Sequence, residues 1–192
     1  MENEFFFTQP TPGGYRRTLA SRTAAILREI ESKYGTRDEE YTLVGVEFEP
    51  TGPRIWYPGS GKHIAIQLST SAQDYWLQAE YQLAHECVHL LAPSGGANAP
   101  VMEEGLATLF ANDWLRREHN FPYTPTDARY ASVLEAVEQL LKLYPDAITL
   151  LRSVERAFFK MSVETFDRAG LKNVLPDLRE RLVTPFREYM VA

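Results

Sequence analysis

Two amphipathic segments joined by a loop of nine residues constrain this chain more than anything else in it. Ser71-Ala72-Gln73-Asp74 has the form of a capping box, which predicts a helix from there to about Leu91. Ala92 to Pro100, nine residues with two prolines and two glycines, reads as a loop, and a second helix follows from Val101 to about Glu118. So short a connection folds the second helix back beside the first, and the start of one then faces the end of the other.

The rest of the chain groups around that pair. Leu19, Thr23, Ile26, Leu27, Ile30 and Tyr34 recur at helical spacing, predicting a helix over Tyr15 to Tyr34 with Gly35 as its C-cap. Thr42 to Glu49 alternates with Val44, Val46 and Phe48 on one face, Arg54 to Tyr57 is short and aromatic, and His63 to Leu68 alternates again. With Pro/Gly turns between them, these predict a small, mainly antiparallel sheet. Thr124-Pro125-Thr126-Asp127 reads as a cap for a third helix, with Tyr130, Val133, Val137, Leu140, Leu141 and Tyr144 as its buried stripe and Pro145 as its end. Shorter helices are expected around Asp146 to Phe158, Ser162 to Ala169 and Pro176 to Met190. The fold class is therefore α+β. With 192 residues, the expectation is one compact unit over 1–192: a lead-in at 1–14, an α/β part at 15–91 and a helical part at 92–192.

A formal net charge of -6 argues against affinity for phosphate backbones or anionic lipid. No stretch is long and apolar enough to span a bilayer, and the start lacks the basic and apolar regions of a secretory signal. The single cysteine, Cys87, forms no intramolecular disulfide and suits a reducing compartment, so the expected location is the cytoplasm.

The chemistry sits on the first helix of the pair. Ala84-His85-Glu86-Cys87-Val88-His89-Leu90 contains H-E-x-x-H. Residues four apart lie about 40° apart around a helix, so His85 and His89 can turn to one metal ion. Glu86, about 100° round from His85, is displaced from that pair yet close enough to act as general base on a metal-activated water. Leu77, Tyr81, Ala84, Val88 and Leu91 form the expected core stripe, with Gln82, His85, Glu86 and His89 on the adjoining face. Cys87 points away from the histidines and reads as a packing or surface residue.

A catalytic zinc site takes a third protein ligand and keeps one open position. Met102-Glu103-Glu104-Gly105-Leu106-Ala107 opens the second helix. Glu104 shares its face with the small side chains of Ala107, Thr108 and Ala111, which let the helices approach, and Gly105 permits the same closeness. Glu103 points about 100° away, toward Phe110 and Trp114. Glu104 is thus the preferred ligand and Glu103 its competitor, although paired acids at a helix start also have a plain electrostatic explanation. Tyr123, Tyr130, His119 and Arg129 are unranked candidates for an oxyanion donor, each with a structural role as the simpler reading. His63 reads as a solvent-facing strand residue, and Trp56, Trp76 and Trp114 as core.

In these residues the sequence resembles the gluzincin class of zinc metallopeptidases, in which a glutamate on the next helix completes H-E-x-x-H. Glu103-Glu104-Gly105-Leu106-Ala107 looks like the N-E-G-F-A segment of the aminopeptidase branch, and that alignment makes Glu104 the third ligand of one Zn2+ ion per chain. The resemblance covers about Tyr41 to Leu115 and implies a zincin-like catalytic domain acting on peptides or proteins, with an edge strand, here His63 to Leu68, lining the cleft. The chain departs from the pattern in three places. Only fourteen residues separate His89 from Glu104, Thr108 stands where some members carry a supporting aspartate, and the large aminopeptidase domains are missing. The glycine and third histidine of the metzincin extension are absent, and His119 is an alternative third ligand. Two rival functions remain: a zincin-fold binding or regulatory module with a structural or sensing metal, and a hydrolase of small non-peptide amides.

Overall fold

The computed structural model of the protein describes residues 10–11, 14–15, 18–59, 61–96, 98–123 and 127–189. Most of the 1–14 lead-in, Thr124 to Thr126 of the expected third cap, and Met190 lie outside the described residues.

The fold is α+β, with a three-stranded mixed sheet. Two short strands, β1 (Pro10–Thr11) and β2 (Gly14–Tyr15), pair with each other. Helix α1 (Leu19–Tyr34) starts later than expected because Thr18 and Ser21 close a capping box, and Gly35 ends it with φ 90°. Strands β3 (Thr42–Glu49), β4 (Arg54–Trp56) and β5 (His63–Ser69) follow, then α2 (Trp76–His89) and α3 (Val101–His119). The chain continues through α4 (Ala128–Leu143), α5 (Ala147–Val154), α6 (Val163–Arg168), α7 (Pro176–Val183) and α8 (Phe186–Tyr189).

The sheet corrects the expected mainly antiparallel arrangement. Its order is β3-β5-β4, and the longest pairing, β3 with β5, is parallel; only β4 runs antiparallel to β5. Residues Ile64 to Ser69 are buried without a break. That pattern belongs to a central strand covered on both faces, and it moves the edge facing the cleft from β5 to β4. A register shift between Leu43 and Gly45 also changes the phase of β3, so Val44 is 56% exposed instead of joining Val46 and Phe48.

The capping box at Ser71 does not form. Thr70–Ala72 makes a 3-10 turn, the Ser71 hydroxyl lies 2.8 Å from that of Ser69, and α2 begins at Trp76. Gln82, nearly two turns inside α2, takes up the Ser69 backbone N–H at 2.9 Å instead. Helices α2 and α3 contribute more buried residues than any other described helix, and Cys87 lies fully inside the core. Gly105 serves α4 and not the α2–α3 approach: a Cβ there would lie 2.3 Å from the Val133 carbonyl oxygen and 2.6 Å from Val137 Cγ2. Trp114 is core as expected, whereas Trp56 is 41% exposed. No helix among the described residues is long and apolar enough to cross a membrane.

Candidate metal centre

Helix α2 carries one continuous functional face. Gln78, Tyr81, Gln82, His85, Glu86 and His89, at steps of three, one, three, one and three, all line a cleft of about 620 Å³. Tyr81 packs against the core as the stripe predicted and also lines this cleft, a placement its spacing of four from His85 already allowed. Across the cleft stand Glu103 and Glu104 from α3, Tyr130 from α4, and Arg54 and Ile55 from β4.

His85, His89 and Glu104 offer ligand atoms that all lie within 4.8 Å of one another. Glu104 reaches both histidines, with Oε2 3.3 Å from His85 Nε2 and Oε1 3.8 Å from His89 Nε2. Tetrahedral zinc with bonds of about 2.0–2.1 Å holds its donors roughly 3.4 Å apart, so these separations suit such an ion, as does the mixed nitrogen and oxygen set. Glu86 lies beside the trio and is 5% exposed.

Glu103 does not point toward Phe110 and Trp114. Its Oε1 accepts a hydrogen bond from His89 Nδ1 at 2.8 Å. The two adjacent glutamates serve different edges of one imidazole: Glu104 meets Nε2 and Glu103 meets Nδ1. A 100° separation on α3 is compatible with both contacts because the ring's two nitrogens lie on different edges. Holding the proton on Nδ1 leaves Nε2 as the ligand atom. Thr108 offers no such support, since its hydroxyl donates to the Glu104 carbonyl at 2.9 Å. The sequence signal for Glu103 was present but ambiguous, an extra acid at the helix start.

The electrostatics describe a cluster short of positive charge. Burial raises the Glu86 carboxyl above its ordinary value, against the pull of His89 and His85, and Glu104 and Glu103 push it the same way as burial. Glu103 is raised mainly by burial, and its Oε2 is buried without a hydrogen-bond partner. Glu104, although buried, is held below the usual range by His89 and His85. Burial opposes charge on His89, yet Glu104 and Glu103 draw its imidazole up to about 10. Three carboxylates face two imidazoles here, a donor set in which a divalent cation would fit.

Two other candidates separate from this centre. His119 pairs through Nε2 with Glu80 Oε2 at 3.1 Å and stacks edge-on against Trp76, so it is not a third ligand. Arg129 is occupied by Asp127, at the N-terminus of α4. Tyr123 and Tyr130 both line the cleft. The Tyr130 ring stands 5.9 Å from that of His85. Its hydroxyl is kept protonated, first by burial and then by the Glu104 and Glu86 charges.

Compared with protein-family models, with curated proteins and with solved structures, the chain matches none.

Proposed function

We propose that this chain is a zinc-dependent metallopeptidase of gluzincin type with a zincin-like fold, acting in the cytoplasm on peptide or protein substrates. The observation that carries the reading is the convergence of His85, His89 and Glu104 within 4.8 Å, with Glu86 alongside. The resemblance in the E-E-G-L-A segment supports the same assignment.

When bound, zinc supplies a Lewis acid that polarises the scissile carbonyl and acidifies water at the open position. His85 and His89 would hold it through Nε2, with Glu103 fixing the His89 ring, and Glu104 would add compensating charge. Glu86, buried beside the ligand trio, would take the proton of the attacking water and pass it to the leaving amine. Tyr130, protonated and facing the cleft, is the preferred donor to the developing oxyanion.

Strand β4 favours a peptide over a small amide. It is an edge of the sheet, and Arg54 and Ile55 line the cleft, so an extended substrate can add alongside it through backbone hydrogen bonds. The regulatory-module reading rested on Thr108, and the Glu103 carboxylate on His89 Nδ1 offers support of that kind from another position, which favours the peptidase reading.

The test is metal content together with cleavage of a broad peptide library. Purified protein is expected to bind about one zinc per chain and to cut peptides only when loaded. Zinc binding without cleavage, with a fall in melting temperature on chelation, would favour the regulatory module; cleavage confined to small amides would favour the third reading.

A further inference from the structure

Arg187 lines the same cleft, yet it comes from the far end of the chain. Its place there is fixed on both sides. Phe186 N–H donates to the Ala99 carbonyl at 2.9 Å and Val101 N–H to that of Thr184 at 2.9 Å, which ties the segment to the loop between the two site helices. Pro185 and Pro100 form an antiparallel bridge at the same point. The Phe186 ring packs 5.4 Å from Tyr130, and two residues beyond Arg187 the Tyr189 hydroxyl lies 2.6 Å from Ser132 Oγ. A four-residue helix anchored at both ends thus holds Arg187 against the cleft of the candidate centre.

The neighbouring charges are already engaged. Arg54 donates to Gln67 Oε1 at 2.7 Å and pairs with Glu49, and Asp127 is closed in its pair with Arg129. Arg187 has no ion pair or side-chain hydrogen bond among the described residues, although the chain carries 26 acids against 20 cations. Glu86, Glu103 and Glu104 line the same cleft and repel an anionic ligand, so an anionic group is best placed beside Arg187.

We infer that Arg187 anchors a carboxylate of the substrate, which makes carboxylate-bearing peptides the preferred class for this cleft. The inference rests on the peptidase reading. A planar guanidinium suits bidentate pairing with a carboxylate, and partial exposure to solvent limits the gain to about three- to tenfold at low salt. Screening reduces it further as salt rises.

The experiment uses the full chain loaded with zinc and three matched peptide sets: glutamate against glutamine at each position, free against amidated C-terminus, and lysine in place of glutamate. Wild type is expected to favour an acidic peptide by about three- to tenfold in kcat/KM, carried by KM. The glutamate series and the amidation series separate a side-chain carboxylate from a terminal one. Arg187→Gln should bring the ratio near one, and Arg187→Glu should turn it toward the lysine peptide, an inversion that mere structural damage does not produce. Binding of the same peptides to zinc-loaded Glu86→Gln, measured by calorimetry, should follow the same order. Cleavage of all sets with no charge preference, or a preference unchanged in Arg187→Gln, overturns the inference and leaves the peptidase reading standing. Failure to cut or bind any peptide overturns both.

Discussion

Helices α2 and α3 hold two buried acidic clusters, and the two are built on opposite principles. At one end Glu80, 2% exposed, is matched by the Arg22 guanidinium, by the Trp114 indole N–H at 2.7 Å and by His119 at 3.1 Å. Burial would raise its carboxyl, but His119, Arg22 and Trp114 together hold it below the ordinary value. At the other end Glu86, Glu103 and Glu104 face two imidazoles, and two of the three carboxyls are raised. A buried carboxylate with its partners in place joins helices; a group of them lacking compensating charge is a candidate receptor for a cation. The same pair of helices carries both arrangements because the partners differ, α1 supplying Arg22 at one end and the cleft opening at the other.

Substitution at each end should break this contrast in a different measurement. The largest effect is expected from Glu86→Gln, which should lower kcat by about 10²- to 10⁴-fold while zinc stoichiometry stays near one, read by steady-state kinetics beside metal analysis. Glu80→Ala should act on stability instead. It removes the acceptor of the Trp114 N–H and the nearer partner of Arg22, which keeps Glu118 at 3.3 Å, and should cost about 3 kcal/mol, seen as a lower denaturant midpoint with zinc affinity unchanged. Zinc should stabilise the wild type by about 2.7 kcal/mol at a free concentration a hundred times Kd, and chelation should reverse the gain in a thermal melt. Loss of that gain in Glu104→Ala but not in Glu80→Ala would assign it to the site end. Glu103→Gln should weaken zinc binding by roughly ten- to a hundredfold in a competition titration without abolishing it, since it alters the support of His89 and not a ligand.

The pH dependence should differ in sign between the two ends. Glu80 has a lowered carboxyl pKa, so its contribution is present above the ordinary carboxyl value near 4.5 and is lost as pH falls below it. In metal-free protein His89 is raised from 6.5 to about 10, so its contribution is present below 6.5 and is lost as pH rises toward 10. Denaturant midpoints across pH should show both limbs, and saturating zinc should flatten only the alkaline one. An alkaline limb that persists with zinc would contradict the assignment of His89 as a ligand.

Local pattern made the centre legible to a large extent. The spacing of His85, Glu86 and His89 sets their angular positions on α2, and the short loop brings α3 back, so Glu104 faces the histidines in the structure. The α+β class followed from the same periodicities. What failed had alternatives of nearly equal local quality. Ser71 carried the letters of a cap, but Ser69 engaged its hydroxyl, and an alternating reading of His63 to Leu68 could not reveal a strand buried on both faces.

By itself the sequence determined which residues lie together on one helix, because the backbone repeat fixes side chains four apart on the same face whatever surrounds them. It thereby set the two histidines, the proposed base and the choice of two glutamates. Only the tertiary structure decided that Glu103 grips the second nitrogen of His89, that β5 is central and parallel to β3, and that Tyr130 and Arg187 look into the cleft. Those outcomes depend on crossing angles, strand order and the docking of distant segments, which are settled by competition among packings across the whole chain and leave no period in the sequence.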